Sequence, residues 1–194
     1  MSVEAIRDEV AASIAVKQAV LADERLIVQI EKLAAACVAC VRSGGKVIFA
    51  GNGGSFADAQ HLSAEFISRF KFDRAPLASL VLGANNSAIS AIGNDYGYEQ
   101  VFARELMGVA KSGDVFIPIS TSGNSRNILA AVEQAKNQGL TTVAFTGEGG
   151  GKLAALCDCL CAPSRETARI QECHIMIGHI VCGLVEAATF SSFD

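Results

Sequence analysis

No run in this sequence reaches the roughly 18 apolar residues that a membrane-spanning helix needs, although 51% of its residues are hydrophobic. Ala, Val, Ile and Leu are spread along the chain instead, as in a core or an interface. The N-terminus lacks the hydrophobic leader of a secreted protein, because Glu4, Arg7, Asp8 and Glu9 interrupt its apolar residues. A cytoplasmic protein is therefore expected. No basic block is present either, and the net charge is −4. Without clustered Lys and Arg there is little to hold a phosphate backbone, which argues against nucleic acid and for a small partner. Internal repeats, low-complexity tracts and flexible linkers are all missing. Two nucleotide signatures fail as well. GxGxxG breaks because Phe56 stands at its last glycine position and no acidic residue ends the second strand, and GxxxxGK[ST] does not occur.

Seven cysteines are present, an odd number without a secretion signal, so reduced thiols are expected rather than disulfides. Cys37 and Cys40 form a CxxC inside a helical stretch ahead of the first strand, not at a helix start after one, so buried packing is expected there instead of redox chemistry. Cys157, Cys159 and Cys161 alternate and share one side of a strand.

At 194 residues the chain fits one domain with a substantial core: N-terminal helices over 1–44 and an α/β core over 45–194. Val3, Ile6, Val10, Ile14 and Leu21 form one apolar stripe on a helix running to about Ala22. Asp23 can cap a second helix, which carries Leu26, Ile30, Leu33 and Cys37 on one face and stops before Ser43-Gly44-Gly45. The first stripe needs a cover, either the core or a second subunit, so oligomerisation is expected. From Lys46 onward, short β-rich runs alternate with helical segments: Val47–Ala50, Leu80–Leu82, Val115–Ile119, Thr142–Phe145 and Cys157–Cys161. That alternation implies a five-stranded parallel sheet between helical layers, with ligands beyond the carboxyl ends of the strands.

Gly51-Asn52-Gly53-Gly54-Ser55 follows the first of these strands and opens a helix. Small residues let a ligand approach the backbone, and the free amides of a helix start suit an anion. Ser120-Thr121-Ser122-Gly123-Asn124-Ser125 is a second such loop, with four hydroxyls in six residues. Two polar loops at separate strand ends favour a sugar phosphate over a dinucleotide. His61 and Glu65 stand one turn apart on one helix face, able to bind a metal or exchange protons. The last helix places Gln171, His174 and His179 in an apolar sequence. Gln171 and His179 are about 12 Å apart along the axis, and His174 reads as a satisfied core histidine. Gly178 costs roughly 1 kcal/mol in a helix interior, which suggests a close approach there.

The glycine loop, HxxxE, Ile92-Gly93-Asn94-Asp95-Tyr96-Gly97, the serine loop, and Arg169-Ile170-Gln171-Glu172 with His179 occur in one order. Together they resemble the phosphoheptose isomerases of the sugar isomerase (SIS) domain superfamily, over nearly the whole chain. The resemblance implies a flavodoxin-like strand order and conversion of sedoheptulose 7-phosphate to glycero-manno-heptose 7-phosphate, a step toward the heptose of bacterial surface polysaccharide such as lipopolysaccharide. It also implies a homotetramer with zinc, one ion per subunit, in shared active sites. By motif, His61, Glu65, Gln171 and His179 match the metal ligands, with Glu65 and His179 as the catalytic acid/base pair. Asn52, Gly53, Gly54, Ser55, Glu65, Asn94, Asp95, Ser120, Thr121, Ser122, Ser125 and Gln171 match substrate contacts, with Arg69 one turn beyond Glu65. Asn85 and Ala168 depart from the residues found in many relatives. Two other readings compete: a non-enzymatic SIS protein that binds the replication initiator, whose pattern lacks the counterparts of Glu65 and His179, and an SIS isomerase for another sugar phosphate.

Overall fold

A computed structural model describes residues 2–190. Two helices come first, α1 (Val3–Ala22) and α2 (Glu24–Arg42). The Asp23 carboxylate accepts from the Leu26 amide at 3.0 Å and so caps α2 as expected. The core then runs β1 (Val47–Gly51), α3 (Gly54–Ile67), β2 (Ser79–Val81), α4 (Asn86–Tyr96), α5 (Val101–Val109), β3 (Val115–Ile119), α6 (Arg126–Asn137), β4 (Thr141–Thr146), β5 (Asp158–Cys161) and α7 (Thr167–Phe190). All five strands fall where the β-rich runs placed them, within a residue or so at each end.

The sheet is parallel throughout, in the order β2-β1-β3-β4-β5. Strands buried on both faces need apolar residues at every position, and β1 and β3 are buried along their whole length. Val47, Phe49, Val115, Ile117 and Ile119 point to the side covered by α2, α3 and α7. Ile48, Ala50 and Phe116 point to the side covered by α5 and α6. β1 pairs with β2 on one side and β3 on the other, and Gly51 lies opposite Ile119. The loops leaving β1 and β3 therefore open side by side at the point where the strand order reverses, the usual ligand crevice of such sheets.

The α7 sequence is apolar enough to pass for a membrane span, with a mean hydropathy of 1.5 over its best window. Ile170, Cys173, Ile177, Val181, Cys182 and Val185 are instead buried against α2 and α3, which makes α7 a core helix. Both CxxC thiols are buried, at 0% and 4% exposure, and burial pushes both upward in pKa, away from the thiolate a redox motif needs. By contrast the α1 stripe is uncovered. Val3, Ile6, Val10, Ile14 and Leu21 are between 51% and 74% exposed. Polar ties hold this helix to α7: Ser13 donates to Glu172 at 2.6 Å, and Arg169 donates to the Glu9 carbonyl at 2.8 Å.

His174 is fully buried, and its Nε2 donates to the Thr146 carbonyl at 3.0 Å. Burial pulls its pKa down to about 4, against the smaller upward effect of that hydrogen bond. In the unfolded chain the ring takes a proton near pH 6.5. Between those values the unfolded state binds more protons, so stability falls with pH from about 6.5 and the loss is complete below about 4. The expected loss is roughly 3 kcal/mol from this group. Denaturation of the parent and of His174→Gln across that window measures it; parallel curves would remove His174 as the cause.

Candidate active site

β1 ends at Gly51, and the chain turns into α3 through Asn52 and Gly53. Gly53 has φ +55°, where glycine carries no steric penalty. A side chain on Gly51 would strike the Ser55 carbonyl, so this turn admits no bulk. The Asn52 amide is locked by reciprocal bonds with buried Asn127, at 2.8 and 3.0 Å, and accepts from the Tyr98 hydroxyl at 3.1 Å. Asn52 and Gly53 line a cleft of about 190 Å³ with Gly51, Phe56, Gly83 and Tyr98.

The loop after β3 is braced from behind. The Thr121 carbonyl accepts from the Gly147 amide at 2.9 Å, and the Gly123 carbonyl from Leu153 at 3.1 Å. Gly123, at φ +63°, packs so tightly on the Gly150 carbonyl that no side chain fits. The Ser120 and Ser125 hydroxyls lie 3.1 Å apart, while the Ser122 hydroxyl accepts from the Asn124 amide. No side chain caps the α6 N-terminus, which leaves its first-turn amides facing this serine-lined turn.

α3 and α7 run side by side because Gly178 has no side chain. A Cβ there would come within 2.5 Å of the Leu62 methyls, so the close approach that Gly178 suggests is that of α3 itself. The contact brings His179 of α7 onto His61 of α3, with their Nε2 atoms 2.8 Å apart. Glu65 Oε1 lies 3.2 Å from His61 Nε2, one turn along α3. Two imidazole nitrogens and a carboxylate oxygen thus stand within 4.8 Å of one another. The Phe70 ring stacks on His179 at 5.5 Å. Burial lowers the His179 pKa, nearby His61 lowers it further, and Glu65 opposes both. A neutral imidazole near pH 7 has the lone pair that a ligand or a base needs.

Not every candidate joins this trio. Gln171 lies farther up α7 with its amide against Gly54: Nε2 is 2.6 Å from where a Cβ would stand. Gly54 is seven residues before His61, about 10 Å along the helix. Asn94 and Asp95 are exposed and hydrogen-bonded to each other at 2.8 Å. They line an open depression on α4 with Asn86, Ser87, Ser90 and Ala91, apart from the glycine-loop cleft. Arg69 is exposed just past the end of α3. Asn85, one of the two departures, caps α4 by accepting from the Ala88 amide at 3.2 Å. Sequence reasoning missed Phe70, Tyr98 and Asn127. Asn127 follows the serine loop by two residues and Tyr98 follows the Ile92–Gly97 motif by one, but nothing local shows that both reach Asn52.

The donor set suits a divalent ion of the zinc type, which takes imidazole nitrogen and carboxylate oxygen and keeps an open position in catalytic sites. His61, Glu65 and His179 are the residues that would hold it.

Known proteins resemble this chain in sequence and in fold over most of its length. The family model for the SIS domain matches residues 10–147. The phosphoheptose isomerase of Aneurinibacillus thermoaerophilus is 54% identical over 186 residues, covering 95% of this chain and 94% of that one. The solved structure of a Francisella tularensis phosphoheptose isomerase superposes with a TM-score of 0.90 at 34% identity, covering 96% of this chain and 98% of that one. That of the Neisseria gonorrhoeae enzyme gives 0.89 at 38% identity, covering 95% and 98%.

Proposed function

Because the chain belongs to the SIS-domain family of phosphoheptose isomerases, an aldose–ketose isomerase, we propose that it converts sedoheptulose 7-phosphate to glycero-manno-heptose 7-phosphate by proton transfer through an enediol. The observation that carries this reading is the His61–Glu65–His179 trio on facing turns of α3 and α7. Moving the carbonyl from C2 to C1 requires a base to take the C1 proton and an acid to return one to C2. Glu65 and His179 fill those roles. His61, Glu65 and His179 would hold a divalent ion, which when bound would supply positive charge against that developing on substrate oxygens. Zinc, one per subunit, fits the donors, and Gln171 joins the set if its side chain swings from Gly54 toward the trio.

The phosphate sits among Ser120, Thr121, Ser122 and Ser125 at the α6 N-terminus, where hydroxyls and free amides converge. Asn52, Gly53, Gly54 and Ser55 hold the sugar, with Asn127 and Tyr98 fixing the Asn52 amide. The exposed α1 stripe and the outward-facing Asn94 and Asp95 fit a homotetramer whose sites draw on a second copy, and Arg69, exposed just past α3, is a further candidate substrate contact. The enzyme works in the cytoplasm and supplies heptose for surface polysaccharide.

Product formation tests the reading. Incubated with a panel of ketose phosphates, the protein should generate the aldose anomeric-proton NMR signal fastest from sedoheptulose 7-phosphate. Rapid turnover of a shorter ketose phosphate with none of the heptulose would assign it another substrate, and no turnover of any would favour a binding protein. Thr121→Ala and Ser125→Ala should each weaken sugar-phosphate binding by roughly 10- to 150-fold, about the 1.5–3 kcal/mol of a hydrogen bond to a charged group. Unchanged affinity in both would displace the phosphate from this loop.

A further inference from the structure

Glu186 is 1% exposed and lies on α7 seven residues beyond His179. A buried carboxylate is costly unless it is paired and hydrogen-bonded, and here three donors reach it. Its Oε1 accepts from the Phe70 amide at 2.8 Å and Arg74 Nε at 2.9 Å, and its Oε2 accepts from the Lys71 amide at 2.7 Å. Burial alone would raise its pKa; the two amides and the guanidinium outweigh that and hold it below the usual carboxylate range.

The Arg74 side chain is equally buried, at 3% exposure. Two of its remaining bonds go to the end of α3, from Nη2 to the Glu65 carbonyl at 2.7 Å and from Nη1 to the Phe66 carbonyl at 2.7 Å, while Nη1 also reaches the neighbouring Ala75 carbonyl at 3.0 Å. The last carbonyls of a helix have no partner within it, and a cation there also suits the helix dipole. One of the carbonyls capped in this way belongs to Glu65 itself. On the other side of the pair, the amide bonded to Glu186 is that of Phe70, whose ring stacks on His179.

We infer that Arg74 and Glu186 are positioning residues for the isomerase site, a buried ion pair that fixes the helix turn bearing Glu65 and the ring that orients His179 without touching substrate. The inference rests on the proposed roles of Glu65 and His179. A pair serving only the fold would affect melting temperature alone. A pair that orients the trio also sets turnover and metal affinity, and loss of such supporting contacts typically costs roughly 10- to 100-fold in either. Since the phosphate and sugar loops lie at the other end of α3, KM should move little.

The test compares Arg74→Lys, Glu186→Gln and Phe70→Leu with the parent, well below the melting temperature of each. Arg74→Lys keeps the charge but loses the fork that spans Glu186 and the α3 carbonyls. Turnover is read alongside zinc affinity of the metal-free protein, measured by calorimetry. The expected result is kcat lower by roughly 10- to 100-fold with KM within about twofold, and zinc binding weakened over the same range. Folded variants with parental kcat and parental zinc affinity, but a lower melting temperature, would overturn the inference and leave the pair a stability element. If Glu186→Gln does not fold, Arg74→Lys and Phe70→Leu decide by the same criteria. Glu65→Gln serves as the control. Parental turnover in that variant would overturn the assignment of Glu65, and this inference with it; an inactive Glu65→Gln beside fully active Arg74→Lys and Phe70→Leu would overturn this inference alone.

Discussion

Glu65→Gln and His179→Gln should each lower kcat by roughly 10²- to 10⁴-fold, the range that positioned acid and base groups contribute. Substrate affinity should stay within a few fold. Glutamine keeps the size of Glu65 and much of its hydrogen bonding, including the 3.2 Å approach to His61, yet its carboxamide cannot accept the C1 proton. At His179 the surroundings decide the protonation state. Burial first, and His61 second, hold the ring below its usual pKa, so above that value it is a neutral base and below it the lone pair is occupied. In the kcat/KM profile, loss of activity on the acidic side should therefore continue to a lower pH than an unperturbed imidazole would give. Metal content must be matched between variants, because both residues also belong to the proposed ligand set. If either variant formed product near the parent rate with metal content matched, that residue would lose its role. Asp95, exposed on α4, would be tested next.

Stripping divalent metal should be nearly as damaging. Positive charge beside developing oxyanions contributes several kcal/mol to such reactions, and each 1.4 kcal/mol or so is tenfold in rate. Metal-free protein should lose activity by on the order of 10²-fold or more, and zinc should restore it. The loss should not reflect unfolding, because the His61, Glu65 and His179 side chains sit at the α3–α7 surface while the core beneath them is packed by Leu62, Phe66, Ile177 and Val181. Full turnover in protein shown by elemental analysis to be metal-free would remove the ion from the mechanism.

The sequence was informative wherever local chemistry decides the structure. Strand positions followed from apolar runs, the α2 start from Asp23, and the two ligand loops from glycine and serine clusters next to strand ends. HxxxE could be read because the helix repeat places i and i+4 on one face. What joins distant segments could not be read. His61 and His179 are 118 residues apart, and the glycine that lets them meet, Gly178, signals only that something comes close. Likewise, Arg74 is an ordinary surface-type residue in a loop, and only the fold shows that it buries its guanidinium between Glu186 and the end of α3. Gln171 illustrates the converse: its motif groups it with the trio, while its side chain rests on Gly54. The α1 stripe was legible as a stripe, and among the described residues it stays exposed.

The central claim is that a proton, not a hydride, moves between C1 and C2 on the His61–Glu65–His179 face. The His61 side chain is 51% exposed and that of Glu65 22%, so a proton resting on these groups can exchange with water between the two transfers. Turnover of sedoheptulose 7-phosphate in deuterated water tests this directly by NMR. The account predicts deuterium at C2 of the heptose phosphate formed and, through the reverse reaction, at C1 of the recovered ketose. Heptose phosphate formed at the full rate with no solvent deuterium at either carbon would contradict it.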